Sequence, residues 1–238
     1  MARYAVVGAS RGVGLALTEQ LSRDGDGVRA ISRSPLPGSS HVEPFSADVT
    51  NSGSLATALD DDFDAVFFTV ESSGGVNGRG LFAKKDAVRE TTYMGCVNTV
   101  QTIAKLGRRP RFILLSAMGV DQPSILWTVS SLMKAGMRGN MIDRERAVEA
   151  SGLPYVILRS PILTDSSGGI AAVSATRPVH GLSGSMKIGR GDVAAAMIKA
   201  ARFGPSDTTW DIMPGRSEDA APWWRSEPPF ELVTAATA

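Results

Sequence analysis

Short apolar runs of strand length alternate along the chain with stretches in which apolar residues recur at helical spacing. The apolar runs predict strands at 5–8, 28–32, 42–46, 64–70, 111–116, 153–159 and 208–212. The helical spacing predicts helices at 13–24, 53–59, 81–106, over most of 125–150 and from about residue 191 onward. Strands that are apolar throughout and alternate with helices are typical of a parallel sheet covered on both faces. We therefore predict an α/β fold with a doubly wound parallel sheet.

A glycine-rich turn connects the first predicted strand directly to an amphipathic helix. Gly8 suits a tight turn, Gly12 lets backbone approach a phosphate, and Gly14 lets the helix pack closely on the strand. The helix N-terminus offers unpaired N–H groups and the positive end of a dipole. This arrangement predicts a dinucleotide site of the Rossmann type. The cofactor-binding residues predicted in this turn are Gly8, Ser10, Arg11, Gly12, Val13 and Gly14.

The end of the second predicted strand indicates which nucleotide is bound. Rossmann enzymes that use NAD usually carry an acidic residue there, whereas this chain reads Ser32-Arg33-Ser34. Arg33 and Arg11 suit the 2′-phosphate of NADP, because guanidinium groups make charge-assisted, bidentate contacts with phosphate. The alternative is that both are solvated surface arginines. NADP(H) is therefore the predicted cofactor.

Two further pairs of residues follow predicted strands. Asp48 and Val49 come after the third strand and are predicted to flank the adenine, with a turn or helix-cap aspartate as the alternative. Thr69 and Val70 leave the fourth strand at its carboxyl end, the edge at which open α/β sheets bind ligands. We expect both of the latter to contact the cofactor.

Several segments and side chains are predicted to surround this crevice. The glycine-rich segment 71–80 and the stretch 164–184 are predicted to be mobile loops above it. The tail after Pro214 has little regular pattern and is predicted to wrap the surface or a neighbouring molecule. Four methionines either line an apolar substrate pocket or belong to ordinary core; they are Met118, Met133, Met137 and Met141.

Composition excludes several classes of partner and site. A net charge of +1 gives no footprint for nucleic acid or an anionic membrane, and no apolar run approaches the roughly 20 residues of a membrane helix. The single cysteine, Cys96, excludes an internal disulfide and a Cys-rich zinc site, and it fits a small buried position in a helix. No metal site is expected. Because a strand begins almost at the first residue, we expect no signal peptide and a cytoplasmic protein. We expect the protein to be a monomer or a homodimer.

Four motifs together resemble the short-chain dehydrogenases/reductases, and more narrowly their atypical, NmrA-like or NAD(P)H-binding branch. They are the glycine turn, Asp48-Val49, Leu115-Ser116, and the run 150–161 followed by Gly-Arg-Gly-Asp192-Val-Ala. The resemblance covers about residues 3–213. It implies one NAD(P)-binding Rossmann-like domain over 1–238, with a small C-terminal substrate-binding portion at about 161–190 and 213–238.

The resemblance also implies a serine, a tyrosine and a lysine at the nicotinamide end of active reductases. Ser116 matches the serine, but aligning Glu145 with the helix glutamate of the family places Met137 and Met141 at the tyrosine and lysine positions. Lys134 is a weak substitute, four residues after Ser130. A thioether neither donates a proton nor lowers a pKa, so ordinary carbonyl reduction is not expected.

Two hypotheses follow for the activity. The first is an NADPH-dependent oxidoreductase for a small apolar substrate that is quinone-like, conjugated or aromatic, because negative charge can then delocalise and water can supply the proton. The second is a non-catalytic NADP(H)-binding sensor or interaction protein, because the tyrosine and the lysine are missing.

Overall fold

The structure is a computed structural model and describes residues 1–72, 85–122, 124–165, 173–178, 181–215 and 220–225. The strands are β1 (Arg3–Val7), β2 (Gly27–Ser32), β3 (Val42–Ser46), β4 (Ala65–Phe68), β5 (Arg111–Ala117), β6 (Tyr155–Ser160), β7 (Ile162–Thr164), β8 (Val173–Thr176), β9 (Lys187–Gly189) and β10 (Thr208–Pro214). The helices are α1 (Gly12–Arg23), α2 (Ser52–Leu59), α3 (Lys85–Val88), α4 (Gly95–Lys105), α5 (Ile125–Met133), α6 (Met137–Glu149), α7 (Arg190–Phe203) and α8 (Pro222–Arg225), and a π-helical stretch (Arg89–Met94) joins α3 to α4.

The main sheet has eight strands in the order β3-β2-β1-β4-β5-β6-β10-β8. Every pairing in it is parallel except that of β10 with β8. The predicted doubly wound Rossmann-type fold is therefore confirmed, with one antiparallel edge strand added. Successive strands are added outward from β1 on one side and outward from β4 on the other. This switch point between β1 and β4 forms a crevice at the carboxyl ends of the strands.

Both faces of the sheet are buried, which explains why its central strands are apolar throughout. Successive side chains of a strand point to opposite faces, so Tyr4 and Val6 of β1 pack under α1 and α7. Ala5 and Val7 pack on the other face, under α2, α4 and α6. Among the described helices, none is long and apolar enough to cross a membrane.

The structure corrects one prediction in the C-terminal third. Part of the predicted mobile loop 164–184 is the buried edge strand β8, whose residues Ser174 and Thr176 are too polar to suggest a strand. The tail packs on this strand, where the amide of Ala221 donates to the carbonyl of Ala175 over 2.8 Å. The indole Nε1 of Trp224 donates to the carbonyl of Val173 over 2.7 Å. The tail therefore covers an edge strand of its own chain. His180 and most of 71–80 lie outside the described residues.

Cys96 occupies the small buried position predicted for it in α4, with no exposed surface. Burial raises the pKa of its thiol from 9.0 to about 12, against a weaker opposing effect of the Arg144 charge. The folded state therefore disfavours the thiolate. Stability that depends on this thiol is complete below pH 9.0 and is lost as the pH rises towards 12.

We expect the free energy of unfolding to fall above pH 9.0 more steeply in the wild type than in Cys96→Ala. The difference should approach about 1.4 kcal/mol per pH unit, because unfolding then releases one proton. Denaturant titrations at a series of pH values measure it. Burial also raises the pKa of Tyr4 and Tyr155, but both proteins share those effects. Parallel pH profiles would contradict the expectation.

Candidate active site

The glycine turn has the backbone geometry that its sequence predicts. Gly8 and Gly12 have positive φ angles, +97° and +60°. A Cβ on Gly14 would lie 2.1 Å from the carbonyl oxygen of Gly8, so only glycine allows α1 to approach β1 this closely. Thr69 Oγ1 donates to the carbonyl of Val7 over 3.0 Å and ties the end of β4 to the same turn.

The start of α1 is suited to an anion. Arg11 is the N-cap in an extended conformation, its side chain makes no capping hydrogen bond, and the first turn of the helix has no acidic residue. The first amides of α1, beginning at Gly12 and Val13, therefore have no intrahelical acceptor and no neighbouring carboxylate in that turn. Together with Gly12, whose missing Cβ lets the backbone approach a phosphate, this geometry fits a dinucleotide pyrophosphate.

The two arginines predicted to bind the 2′-phosphate are both available. Arg11 and Arg33 are exposed, and neither makes an ion pair with another side chain in the described ranges. The amides of Gly8 and Ala9 donate to the carbonyl of Ile31 over 2.9 and 3.1 Å, which places the turn beside the end of β2. Arg33 follows two residues later. Their contact with a 2′-phosphate stays a prediction.

Asp48 and Val49 have structural partners already. Asp48 Oδ1 accepts hydrogen bonds from the amide and the hydroxyl of Thr50, over 2.9 and 2.8 Å. The carbonyl of Val49 accepts from Asn98 Nδ2 over 2.9 Å, and its side chain packs where Gly95 leaves room. These contacts match the alternative of a turn aspartate, and the adenine contact stays a prediction.

A cavity of about 340 Å³ lies at the carboxyl ends of β4, β5 and β6. Its volume is within the range of small-molecule sites. Four of the predicted site residues meet there: Thr69, Val70, Ser116 and Lys134. Met133, Met137 and Met141 also line it, whereas Met118 is fully buried and its carbonyl accepts from Trp127 Nε1 over 3.2 Å. Three of the four methionines therefore face the cavity.

Ser116 and Arg144 are two polar residues that line this cavity. Both side chains are 2% exposed, and within the described residues neither Ser116 Oγ nor Arg144 Nε has a hydrogen-bond partner. The guanidinium donates to the carbonyls of Val70 and Leu115 over 3.2 and 2.7 Å. Burial lowers the pKa of Arg144. Sequence reasoning missed this residue, because its neighbours Asp143 and Glu145 suggest a solvated helix face.

Lys134 and Glu71 form an ion pair at the more exposed side of the cavity. Lys134 Nζ lies 2.7 Å from Glu71 Oε1, and the two side chains are 28% and 43% exposed. Lys134 follows α5 and Glu71 follows β4, so the pair joins the two walls. It places the partly exposed Lys134 side chain beside the cavity.

The sequence matches the model of the NAD(P)H-binding family over residues 8–202. The chain belongs to this family. No curated protein matches the sequence significantly. The match and the fold confirm the resemblance to the short-chain dehydrogenases/reductases that the motifs indicated, while the NmrA-like placement stays a prediction.

Solved structures share the fold of this NAD(P)H-binding protein at low sequence identity. The oxidoreductase ylbE from Lactococcus lactis is 20% identical, with a TM-score of 0.71, covering 90% of this chain and 92% of its own. A short-chain dehydrogenase/reductase from Veillonella parvula, solved with NADP, is 16% identical, with a TM-score of 0.68 and coverages of 93% and 98%. ChuY, an anaerobillin reductase from Escherichia coli O157:H7, is 19% identical, with a TM-score of 0.64 and coverages of 92% and 100%.

A second arginine that sequence reasoning missed lies between the glycine turn and the cavity of this NAD(P)H-binding protein. Arg190, the first residue of α7, lines the cavity. Its Nε lies 3.6 Å from the position that a Cβ on Gly12 would occupy. It forms an ion pair with Asp165, which follows β7. The motif around it drew attention only to Asp192, which lies in the first turn of the helix.

An ion-pair cluster fixes α6, the helix that carries Met137, Met141 and Arg144. Arg159 of β6 binds both carboxylate oxygens of Glu145, over 3.2 and 2.8 Å, and also Asp121 Oδ2 over 2.9 Å. Burial by itself would lower the pKa of Arg159, but its hydrogen bonds and charge attraction with Glu145 and then Asp121 raise it. In the ranges the structure describes, no cluster of His, Cys, Asp or Glu could hold a metal ion.

Proposed function

We propose that this protein is an NADPH-dependent oxidoreductase that reduces a small, apolar, conjugated or quinone-like acceptor. One observation carries the proposal: Ser116 and Arg144, which line an apolar cavity beside the glycine turn, each have a buried side-chain group without a partner among the described residues, Ser116 Oγ and Arg144 Nε. Buried polar groups are nearly always hydrogen-bonded, so two such groups around one cavity favour a polar ligand atom between them. A carbonyl oxygen of the acceptor supplies such an atom.

The chain's own groups can stabilise the charge that develops during reduction. NADPH, when bound, supplies the hydride. Ser116 and Arg144 would donate hydrogen bonds to the acceptor oxygen, on which negative charge accumulates as the hydride adds to the conjugated system. Fixed donors in a site with little water act strongly on such charge, because the local dielectric constant is low. Met137 and Met141 would hold the apolar part of the acceptor.

The proton that completes the reduction needs a source other than tyrosine. Lys134 is an ammonium group at the cavity, and its partial exposure lets water return the proton after each turnover. Its ion pair with Glu71 orients it. Hydride and proton together add two electrons and two hydrogens to the acceptor and leave NADP⁺. A conjugated acceptor tolerates late protonation because its anion is delocalised.

Preference for NADPH is a separate part of the proposal. We expect Arg33→Ala to raise the Kd for NADPH about tenfold and to leave the Kd for NADH unchanged, because a charge-assisted contact with phosphate is worth about 1.5–3 kcal/mol. Titration of nicotinamide fluorescence measures both constants. Arg23→Ala is the matched control, since Arg23 is an exposed arginine that pairs only loosely with Glu19. Equal Kd values for the two cofactors in the wild type would contradict the preference.

The activity is tested by NADPH oxidation with a panel of quinones, unsaturated carbonyl compounds and simple ketones. We expect turnover with the conjugated acceptors and none with the ketones. Arg144→Met should lower kcat about 100-fold or more, as loss of an oxyanion donor does, and Arg144→Lys should restore part of it. NADPH binding and thermal unfolding of each variant show whether the site is intact. An Arg144→Met enzyme that is folded and fully active would contradict the proposed role.

A specific observation also favours the second hypothesis. Met137 and Met141 line the cavity at the positions where the family's tyrosine and lysine are expected, so binding of NADP(H) without turnover would favour a sensor or interaction protein. One assay separates the two functions, because a sensor binds NADPH but does not oxidise it, whichever acceptor is added. Lack of nucleic-acid and membrane partners, a monomeric or homodimeric state and a cytoplasmic location stay predictions.

A further inference from the structure

The small sheet formed by β7 and β9 positions an ion pair at the edge of the cofactor crevice. Thr164 and Gly189 are register partners at the ends of these parallel strands. Asp165 follows β7 and Arg190 follows β9, and these two side chains form an ion pair. The backbone of α7 is fixed against α1 at the same point, since Gln20 Nε2 donates to the carbonyl of Gly191 over 2.9 Å. The position of Arg190 beside the glycine turn is therefore set by the fold.

Arg190 lies where the middle of a bound dinucleotide must pass. On one side its Nε and Cδ are 3.6 and 3.7 Å from the site of a Cβ on Gly12. On the other side it lines the cavity proposed to take the acceptor. The dianionic pyrophosphate joins the adenosine and nicotinamide halves across this gap. A guanidinium is the side chain best suited to bind it, through two parallel hydrogen bonds.

The ion pair between Asp165 and Arg190 is weak. The Asp165 side chain is 94% exposed and that of Arg190 is 30% exposed. Ion pairs so exposed to water are weak and are screened by salt. A pyrophosphate also accepts hydrogen bonds from the free amides at the start of α1, and it can therefore displace the Asp165 carboxylate from Arg190.

We propose that Arg190 binds the pyrophosphate of the cofactor and that Asp165 competes with the phosphate for it. The inference concerns cofactor binding alone and holds for both a reductase and a sensor. It predicts opposite effects for the two members of one ion pair. Asp165 lowers the affinity of the turn for every form of the cofactor, because all of them contain the pyrophosphate.

The test measures the Kd values of NADPH and NADH for four proteins: the wild type, Arg190→Gln, Asp165→Asn and the double variant. We expect Arg190→Gln to weaken both cofactors about tenfold or more, because both contain the pyrophosphate. Asp165→Asn should tighten both about two- to fivefold, the worth of an exposed ion pair. The double variant should match Arg190→Gln, because Asp165 acts only through that arginine.

Two matched controls separate binding from folding. Arg202→Gln removes an arginine of the same helix that pairs with Asp24 and Asp26, away from the turn. Asp62→Asn removes an exposed carboxylate that pairs with Arg108. Neither should change either Kd. Weaker binding by Asp165→Asn, or unchanged binding by a folded Arg190→Gln, would overturn the proposal. Failure to find any reducible acceptor would leave these binding results as they stand.

Discussion

Replacing Gly14 with alanine is expected to lower the free energy of unfolding by about 3 kcal/mol or more and to abolish dinucleotide binding. The added Cβ would lie 2.1 Å from the carbonyl oxygen of Gly8 and 2.7 Å from Thr69 Oγ1. The first of these contacts is with backbone, which cannot rotate away as a side chain can. Either α1 moves off β1 or the turn changes its shape, and both changes disrupt the amides offered to the pyrophosphate.

Gly139→Ala is the matched control for this variant. Gly139 lies within α6, and a Cβ there meets no atom within 4 Å. Alanine should stabilise the protein by about 0.5–1 kcal/mol, because glycine is a poor helix former. Denaturant titration measures both free energies, and fluorescence titration measures NADPH binding. A Gly14→Ala protein as stable as the wild type would show that the turn tolerates a side chain.

The second large effect is expected from Glu145→Leu, which should lower the free energy of unfolding by about 3 kcal/mol. Arg159 and Glu145 are 10% and 5% exposed, and the variant leaves the Arg159 charge buried with only Asp121 to bind. Unpaired buried charge is more costly than the loss of the pair itself. Because α6 also carries Arg144, the cavity should lose its shape together with the stability.

The double variant Glu145→Leu/Arg159→Met identifies the source of this effect. It removes both buried charges, and Asp121 is 53% exposed and can be solvated. The double variant should therefore be more stable than Glu145→Leu alone. Glu19→Leu, at the exposed pair with Arg23, should change stability by less than about 0.5 kcal/mol. A double variant less stable than the single one would show that packing, not charge, dominates.

The parts of the fold that local sequence can predict are those with local causes. The alternation of apolar strands and amphipathic helices follows from burial of both faces of the sheet. That burial leaves an apolar pattern in the sequence of each strand and each helix. The edge strand β8 has no such local cause, because its partner is the distant tail: Ala221 and Trp224 donate to the carbonyls of Ala175 and Val173. Strands as short as β7 and β9 show no period of their own.

The same distinction applies to the site. The glycine turn could be predicted because three glycines at fixed spacing have a backbone function within one segment. Arg144 and Arg190 could not, since each acquires its role from distant groups: the carbonyls of Val70 and Leu115 for one, and Gly12 for the other. Isolated arginines in polar helices have no local feature that distinguishes them. Met137 and Met141 differ from these arginines, because the sequence alone places them at the tyrosine and lysine positions of the family.

The most direct test of the proposed reaction follows a label from the cofactor to the acceptor. NADPH deuterated at the nicotinamide carbon that donates hydride is mixed with the wild-type protein and a quinone or an unsaturated carbonyl compound, and the product is analysed by mass spectrometry. We expect deuterium in the product, and a loss of about 100-fold or more in its rate of appearance with Arg144→Met. NADPH that binds the protein tightly but transfers deuterium to no acceptor would contradict the reductase and favour the sensor.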